Sequence, residues 1–358
     1  MKISYIGILS GLALGVLAPL LVWQGNPGNM GICAACFIRD TSGALGFQSA
    51  LAYIRPEIIG IVLGAFIAAL FFGKFEPRGG SAPTTRFFFG VFAMLGALVF
   101  LGCPWRALLR FGAGDLSAIA GILGLVAGVL AGLLVQFKTT FTLGAQRPQT
   151  KATGLLMPIF ALALLGLLLL GLGGFEWVKF SQKGPASMHA PLIISLIAGL
   201  IIVVVFQKSG FCSVGAIKTL IVDKNSAMMQ AIIALLISTA LVNLALGQFN
   251  LGFEKQPIAH NDMLWNFLAM LLCGLCFTLG GGCPGRQLIK SAEGDNDSAI
   301  FVMGLIAGAA IAHNFGVAAS PAGLGANSVT AVIIGLVFCS FVAILAVEAQ
   351  LCKAKFCL

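Results

Sequence analysis

Charged residues are scarce in this chain of 358 residues, at 9% of the sequence, whereas soluble domains carry about 25%. A globular protein of this size could not cover its surface with so few charges, so a water-soluble enzyme is excluded. Histidines number only 3, and their spacing is not that of a metal site. The chain also lacks a Gly-Lys-Ser phosphate-binding loop, which excludes ATP hydrolysis by the chain itself. We therefore expect no metal ion and no cofactor.

Apolar residues, in contrast, make up 59% of the sequence, and glycine contributes 46 residues. Glycine is frequent in membrane helices because small residues let helix backbones approach closely. A helix that crosses the bilayer needs about 20 mostly apolar residues. Ten segments approach this length: Ser4–Trp23, Pro56–Gly73, Arg86–Leu101, Ser117–Phe137, Gly154–Gly173, Pro191–Gln207, Ala227–Gln248, Met263–Gly280, Ser298–His313 and Asn327–Ala346. The sequence predicts an all-α polytopic membrane protein.

The net charge of +9 would point to nucleic acid as a partner in a soluble protein. Here the basic residues lie in short loops between apolar segments. About two thirds of the 21 Lys and Arg residues fall on the side of the N-terminus, and basic loops face the cytoplasm. We therefore expect the lipid bilayer as partner, no nucleic acid, and both termini in the cytoplasm.

Short motifs recur along the chain in the same order and at nearly constant separation. The recurrences are Gly31–Cys33 with Gly210–Cys212, Gly102–Arg110 with Gly282–Lys290, and Ser117–Ile119 with Ser298–Ile300. They indicate two repeats, residues 1–175 and 176–358. Each repeat holds five predicted spans, and an odd number inserts the second repeat upside down. The predicted fold is therefore two inverted five-span repeats with short re-entrant half-helices, an architecture typical of secondary transporters.

The strongest motif is Gly-Cys-Pro-x-Arg, which occurs at Gly102–Arg106 and again at Gly282–Arg286. Glycine breaks the preceding span, cysteine takes the N-cap position, and proline takes the first helical position, which it prefers. Such a helix start favours anions through its free N–H groups and its dipole. We predict that Gly102, Cys103, Arg106, Gly282, Cys283 and Arg286 belong to a substrate path.

A second motif, Gly-x-Cys, ends at Cys33 and at Cys212. Each copy could open a half-helix that does not cross the membrane, or form an interfacial turn with a buried cysteine. Cys33 and Cys36 also form a Cys-x-x-Cys sequence, which leaves a redox role open. A further Cys-x-x-Cys, Cys273–Cys276, lies within an apolar span, where thiols are inert.

Acidic residues within the predicted spans are nearly absent, which argues against proton coupling. We expect four of the acidic residues to be solvated loop charges: Asp115, Glu293, Asp295 and Asp297. Glu57 follows Pro56 at a helix start and is interpreted as a helix-dipole charge.

Thiols, glycine-rich backbone and basic residues together suit a small anion that contains sulfur or selenium, because thiols can donate weak hydrogen bonds to a terminal sulfur atom. These motifs resemble the YeeE/YedE family of bacterial inner-membrane proteins over essentially the whole chain. The stretches Gly28–Arg39 and Arg55–Gly60 are similar to the YedE subgroup associated with selenium transport. The resemblance implies thiosulfate uptake through cysteines in short inward loops, here Cys33, Cys103 and Cys283, with Cys212 as a symmetric fourth. It also implies an inverted-repeat helical bundle of nine or ten spans.

Three hypotheses follow. The first is an inner-membrane permease or channel for a small sulfur- or selenium-containing anion such as thiosulfate. The second is a membrane thiol-disulfide oxidoreductase that uses Cys33 and Cys36. The third is a structural subunit that binds a cytosolic sulfur- or selenium-carrier protein at the loop after Cys283. Only the first requires cysteines at both ends of a path.

Overall fold

A computed structural model describes residues 3–139 and 143–356, with side chains described except at 139 and 348–356. The described chain is mostly helical. The helices are α1 (Tyr5–Trp23), α2 (Ala34–Ala44), α3 (Pro56–Phe71), α4 (Pro83–Phe100), α5 (Pro104–Gly112), α6 (Ala118–Thr139), α7 (Lys151–Gly154), α8 (Leu156–Leu172), α9 (Leu192–Ser209), α10 (Ser213–Ile221), α11 (Ala227–Ala245), α12 (Met263–Gly280), α13 (Pro284–Ala292), α14 (Asn296–Asn314) and α15 (Ser328–Phe356). Two short strands, β1 (Arg78–Gly79) and β2 (Arg147–Pro148), pair antiparallel.

Eight segments of the described residues are long and apolar enough to cross a bilayer. The prediction of a mostly helical, multi-pass membrane protein is therefore confirmed. Each of the ten predicted spans coincides with a helix. Two of these helices, α3 with 16 residues and α8 with 17, are shorter than the other eight segments.

Three long helices continue into a short one after a sharp turn, and two of these turns carry the Gly-Cys-Pro motif. After α4, Leu101 adopts a positive φ of 63° and the chain turns into α5. After α12, Gly281 has a φ of 92° and Gly282 one of 149°. Proline then opens α5 and α13 at the first helical position. Its ring cannot continue the preceding helix, and at this position it forfeits no helical hydrogen bond.

The Gly-x-Cys motif builds a similar junction before α2 and α10. Gly31 has a φ of 47°, and a Cβ there would lie 2.7 Å from the Cβ of Ala18. Gly210 ends α9 with a φ of 67°. Cys33 and Cys212 follow in extended conformation as the N-cap residues of α2 and α10. Both short helices therefore begin directly after a cysteine.

The most extensive helix contacts join helices before residue 175 to helices after it. The pairs are α1 with α11, α3 with α9, α4 with α14, and α6 with α12. Glycines set the close approach at several crossings. A Cβ added to Gly199 of α9 would lie 3.1 Å from Cα of Gly60 in α3, and one added to Gly274 would lie 2.9 Å from Cα of Gly128. In a bilayer, close van der Waals contact of this kind drives helix association.

The prediction that four acidic loop residues are solvated is wrong. Asp115, Glu293, Asp295 and Asp297 are all buried. Nε of Arg110 lies 2.7 Å from Asp115, and Nζ of Lys290 lies 3.2 Å from Asp295. In both places the last basic residue of a short helix folds onto the carboxylate that follows, so the ion pair ties α5 to α6 and α13 to α14.

The other two carboxylates, Asp297 and Glu293, also have basic partners. Asp297 accepts hydrogen bonds from Ser81 and lies 3.6 Å from Nε of Arg86. Glu293 lies 3.9 Å from Nη1 of Arg286. Each carboxylate therefore has its charge partner inside the protein, as buried charges require.

Candidate functional site

Three thiols meet where α2 and α5 begin. Sγ of Cys33 lies 2.9 Å from Sγ of Cys36 and 3.6 Å from Sγ of Cys103. The sulfur of Cys33 also accepts the backbone N–H of Cys36 at 3.3 Å. All three side chains are buried. We call these residues the first cysteine cluster. Two helix N-termini therefore converge on one group of soft sulfur atoms.

Arg106 of α5 lies against the first cysteine cluster. Its Nη1 donates to Sγ of Cys36 at 3.3 Å, and its Nε and Nη2 donate to the carbonyl oxygens of Asn29 at 3.0 Å and Ile258 at 2.9 Å. The side chain is fully buried. Among the described residues, no carboxylate forms an ion pair with it. A buried charge is normally paired, so the positive potential at this site favours an anion.

A second group of thiols lies where α10 and α13 begin. The thiols of Cys212 and Cys283 interact with each other, and both side chains are buried. Arg286 follows Cys283 by three residues, in the first turn of α13. We call Cys212 and Cys283 the second cysteine pair. Each cysteine group thus has an arginine of the Gly-Cys-Pro-x-Arg motif beside it.

Trp105 packs against α13, the short helix that follows Cys283. It follows Cys103 by two residues, and its ring covers Gly285, two residues after Cys283; Cε2 is 2.7 Å from the position of a Gly285 Cβ. The ring meets Phe206 edge-on at 5.2 Å between centroids, and Phe206 packs on Phe211 at 4.7 Å. Phe211 directly precedes Cys212. One buried indole therefore packs against residues that neighbour both Cys283 and Cys212 in sequence.

The motif glycines make room for the motif arginines. A Cβ on Gly102 would lie 2.9 Å from Cδ of Arg106, and one on Gly282 would lie 3.3 Å from Cβ and Cγ of Arg286. The stem of each arginine therefore folds back over the glycine four residues earlier. This packing explains why glycine precedes the cysteine in both motifs.

Sequence reasoning missed two features of the site. Trp105 stands where the two motif copies differ, since the second copy has Gly285 there, and that difference was the available signal. The carbonyls that hold Arg106 belong to Asn29 and Ile258, which both adopt positive φ in irregular loops. Neither residue carries a pattern that places its carbonyl next to an arginine.

The remaining cysteines with described side chains lie in apolar packing. The thiol of Cys273 donates to the carbonyl of Ala93 at 3.3 Å, and Sγ of Cys276 lies 3.6 Å from Sγ of Cys339. The side chain of Cys352 and all of Cys357 lie outside the described residues. Cys273 and Cys276 therefore serve as controls for the cysteines at the short helices.

Comparison with protein families supports the resemblance. Residues 208–347 match a family model described as sulphur transport. The matched segment includes Cys212, Gly282, Cys283 and Arg286. No curated protein matches the chain. The match and the membrane helices together support a transporter of a sulphur compound.

Proposed function

We propose that the chain is a permease or channel of a bacterial inner membrane for a small sulfur- or selenium-containing anion, with thiosulfate as the prototype. The observation that carries the proposal is Arg106, a buried guanidinium without an ion-pair partner among the described residues, next to three buried thiols. Positive charge, two helix N-termini and three sulfur atoms already lie together at this site. These groups can bind an anion without a water-filled path.

The anion passes from the first cysteine cluster to the second cysteine pair. Backbone N–H groups and the arginines Arg106 and Arg286 offset its negative charge. Thiols donate weak hydrogen bonds to its terminal sulfur or selenium atom. Weak bonds suit conduction, since an ion that binds too tightly is not released.

The symmetry of the helices supports two inverted repeats, residues 1–175 and 176–358. Each contains two short helices that begin after a cysteine, α2 and α5 in the first and α10 and α13 in the second. In the two repeats α9 corresponds to α1, and α11 corresponds to α3. The contacts α1–α11 and α3–α9 are therefore the same contact, made once in each direction between the repeats. With both termini in the cytoplasm, the first cysteine cluster is reached from outside and the second cysteine pair from the cytoplasm. A cytosolic sulfur- or selenium-carrier protein could then take the ion from Cys283.

Uptake of labelled thiosulfate into cells that lack their own sulfur importers tests this function. Cys283→Ser should lower uptake at least roughly tenfold, which corresponds to about 1.4 kcal/mol. Cys276→Ser is the matched control, because it removes a buried thiol from the preceding helix, and it should leave uptake unchanged. Selenite should compete if selenium species share the path. Absence of thiosulfate and selenite uptake by the wild type would overturn the proposal.

One distance favours a second function, a thiol-disulfide oxidoreductase that uses Cys33 and Cys36, since their sulfur atoms are only 2.9 Å apart. This function makes Cys36 indispensable. Transport instead predicts a larger loss for Cys103→Ser than for Cys36→Ser, because Cys36 has glycine, Gly215, at the equivalent place. Alkylation of the purified protein before and after reduction measures whether the two thiols cycle.

A further inference from the structure

We infer that a central anion-binding position lies between the two cysteine groups, with the indole N–H of Trp105 and Nη1 of Arg286 as its hydrogen-bond donors. The indole ring is also the barrier that an ion displaces on its way. This inference rests on the proposed function and assigns the middle of the path to two named donors.

The two donor atoms are buried and form no hydrogen bond within the described part of the chain, although the Arg286 side chain as a whole is 23% exposed. Nε1 of Trp105 and Nη1 of Arg286 have no hydrogen-bond partner among the described residues. The Trp105 side chain is only 1% exposed. Buried indole N–H groups usually have a partner, so the unpaired indole N–H of Trp105 needs an explanation. An anion held between the two donor atoms supplies the missing acceptor.

The two donors belong to adjacent parts of the structure. The six-membered edge of the Trp105 ring lies on Gly285, and Cε2, to which Nε1 is bonded, is 2.7 Å from the position of a Gly285 Cβ. Arg286 is the next residue along α13. The Trp105 ring therefore packs against the first turn of α13, where the helix dipole adds positive potential.

Glu293 pairs with Arg286 by charge but leaves Nη1 of that arginine without a hydrogen bond. Oε1 of Glu293 lies 3.9 Å from Nη1 of Arg286, which is beyond hydrogen-bond distance. Glu293 instead accepts a hydrogen bond from Gln207 at 3.3 Å. An anion with an exposed acceptor atom can therefore reach Nη1 of Arg286 without displacing an existing hydrogen bond.

The difference between the motif copies explains why only one indole is present. The ring of Trp105 occupies the space that a side chain at position 285 would need. Trp105, Phe206 and Phe211 form a continuous aromatic contact from the start of α5 to the turn before Cys212. In this inference the indole rotates to let an ion pass. Selectivity at this point then depends on an anion that can accept the indole hydrogen bond.

Intrinsic fluorescence tests the binding position directly. Trp105 is one of 4 tryptophans, and replacing Trp23, Trp177 and Trp265 by phenylalanine leaves it as the sole emitter. Titration of this full-length variant with thiosulfate should change the emission saturably. A variant that keeps only Trp265 is the control and should show no saturable change. Arg286→Gln in the Trp105-only protein should weaken the apparent affinity about tenfold. An unchanged Trp105 emission up to saturating thiosulfate would overturn the inference, whether or not the protein transports.

Two substitutions separate the donor from the barrier. Trp105→Phe keeps a ring but removes the N–H, so the KM for thiosulfate uptake should rise about tenfold without leakage of other ions. Trp105→Ala removes the barrier, so liposomes should become permeable to nitrate. An unchanged KM in Trp105→Phe would show that the indole is not a donor. The proposed function would still stand in that case, provided that the wild-type protein takes up thiosulfate. Absence of uptake by the wild type would instead refute the proposed function, and the fluorescence titration would still decide the binding position.

Discussion

At the scale of single residues, the glycine in each Gly-Cys-Pro-x-Arg motif determines where the arginine lies. The stem of Arg106 covers Gly102 so closely that a Cβ would lie 2.9 Å from Cδ of Arg106. The guanidinium is then held by two carbonyl oxygens and one sulfur atom. Glycine thus fixes the position of the arginine side chain.

Gly102→Ala should therefore displace Arg106 and reduce thiosulfate uptake several-fold, while the chain still folds. Gly166→Ala is the control, because a Cβ at Gly166 meets no atom within 4 Å and alanine favours helix. Uptake and the melting temperature of the purified protein are measured together. Wild-type uptake in Gly102→Ala would show that the position of Arg106 is not critical.

The charge of Arg106 can be separated from its geometry. Lysine keeps the charge but cannot reproduce the planar fork that reaches Asn29, Cys36 and Ile258 together. Arg106→Lys should therefore keep part of the uptake, and Arg106→Gln should lose more of it. Initial uptake rates over a range of thiosulfate concentrations measure both. Equal losses in the two variants would argue that the positive charge does not hold the anion.

Residue types in repeated motifs were readable from the sequence, and their partners were not. Cys103 and Cys283 stand before proline in both copies, so their place at a helix start follows from proline chemistry. Asp115 and Asp295 were misread as solvated, because a loop sequence does not reveal that the preceding helix ends in a basic residue that folds back onto the loop.

At the scale of elements, the short helices α5 and α13 are fixed at their C-terminal ends by buried ion pairs. Lys290 of α13 pairs with Asp295, which also accepts the backbone N–H of Ser298 at 2.9 Å. Burial by itself would raise the pKa of Asp295, but the charge of Lys290 and the hydrogen bonds from Ser298 and Gln146 hold the pKa below its usual value. The ionised carboxylate therefore stabilises the junction.

A lowered pKa in the folded state means that this stabilisation is complete above the unfolded-state value, about 3.9, and is lost as the pH falls through the folded-state pKa. The melting temperature of the purified protein should therefore drop as the pH falls below about 4. Asp295→Asn should lower the melting temperature at pH 7 by several degrees and flatten this acid limb. If the melting temperature of Asp295→Asn still fell by the same amount below about pH 4, other carboxylates would be responsible for the fall.

Helix boundaries were largely predictable, because Pro56, Pro104 and Pro284 open helices at their first position. Hydropathy did not predict that α3 and α8 are shorter than the other apolar segments. Glu57 is buried in the first turn of α3 and accepts a hydrogen bond from Asn26 at 2.8 Å.

At the scale of the whole molecule, glycines hold together helices that are far apart in sequence. Gly60 meets Gly199 where α3 crosses α9, and Gly128 meets Gly274 where α6 crosses α12. Gly199→Ala and Gly274→Ala should each lower the melting temperature, because each added Cβ would contact backbone atoms of the neighbouring helix. The double variant should show the sum of the two effects, since distant sites are usually additive. Wild-type melting temperatures would show that these crossings can separate without cost.

The repeated motifs predicted where the short helices α2, α5, α10 and α13 begin. They did not predict which helices pair, because helix pairing in a membrane depends on the shape of small-residue surfaces and not on motif order. Hydropathy is also nearly uniform around such helices. The crossings of α4 with α14 and of α1 with α11 therefore emerge only from the three-dimensional structure.

The crossed pairing also sets an order of events during synthesis. When the ribosome has finished the first 175 residues, α1, α3, α4 and α6 have reached the membrane, but the helices against which they pack most extensively have not yet been made. Until α9, α11, α12 and α14 have been synthesised and inserted, the glycine-lined faces of the earlier helices contact lipid or an insertion factor.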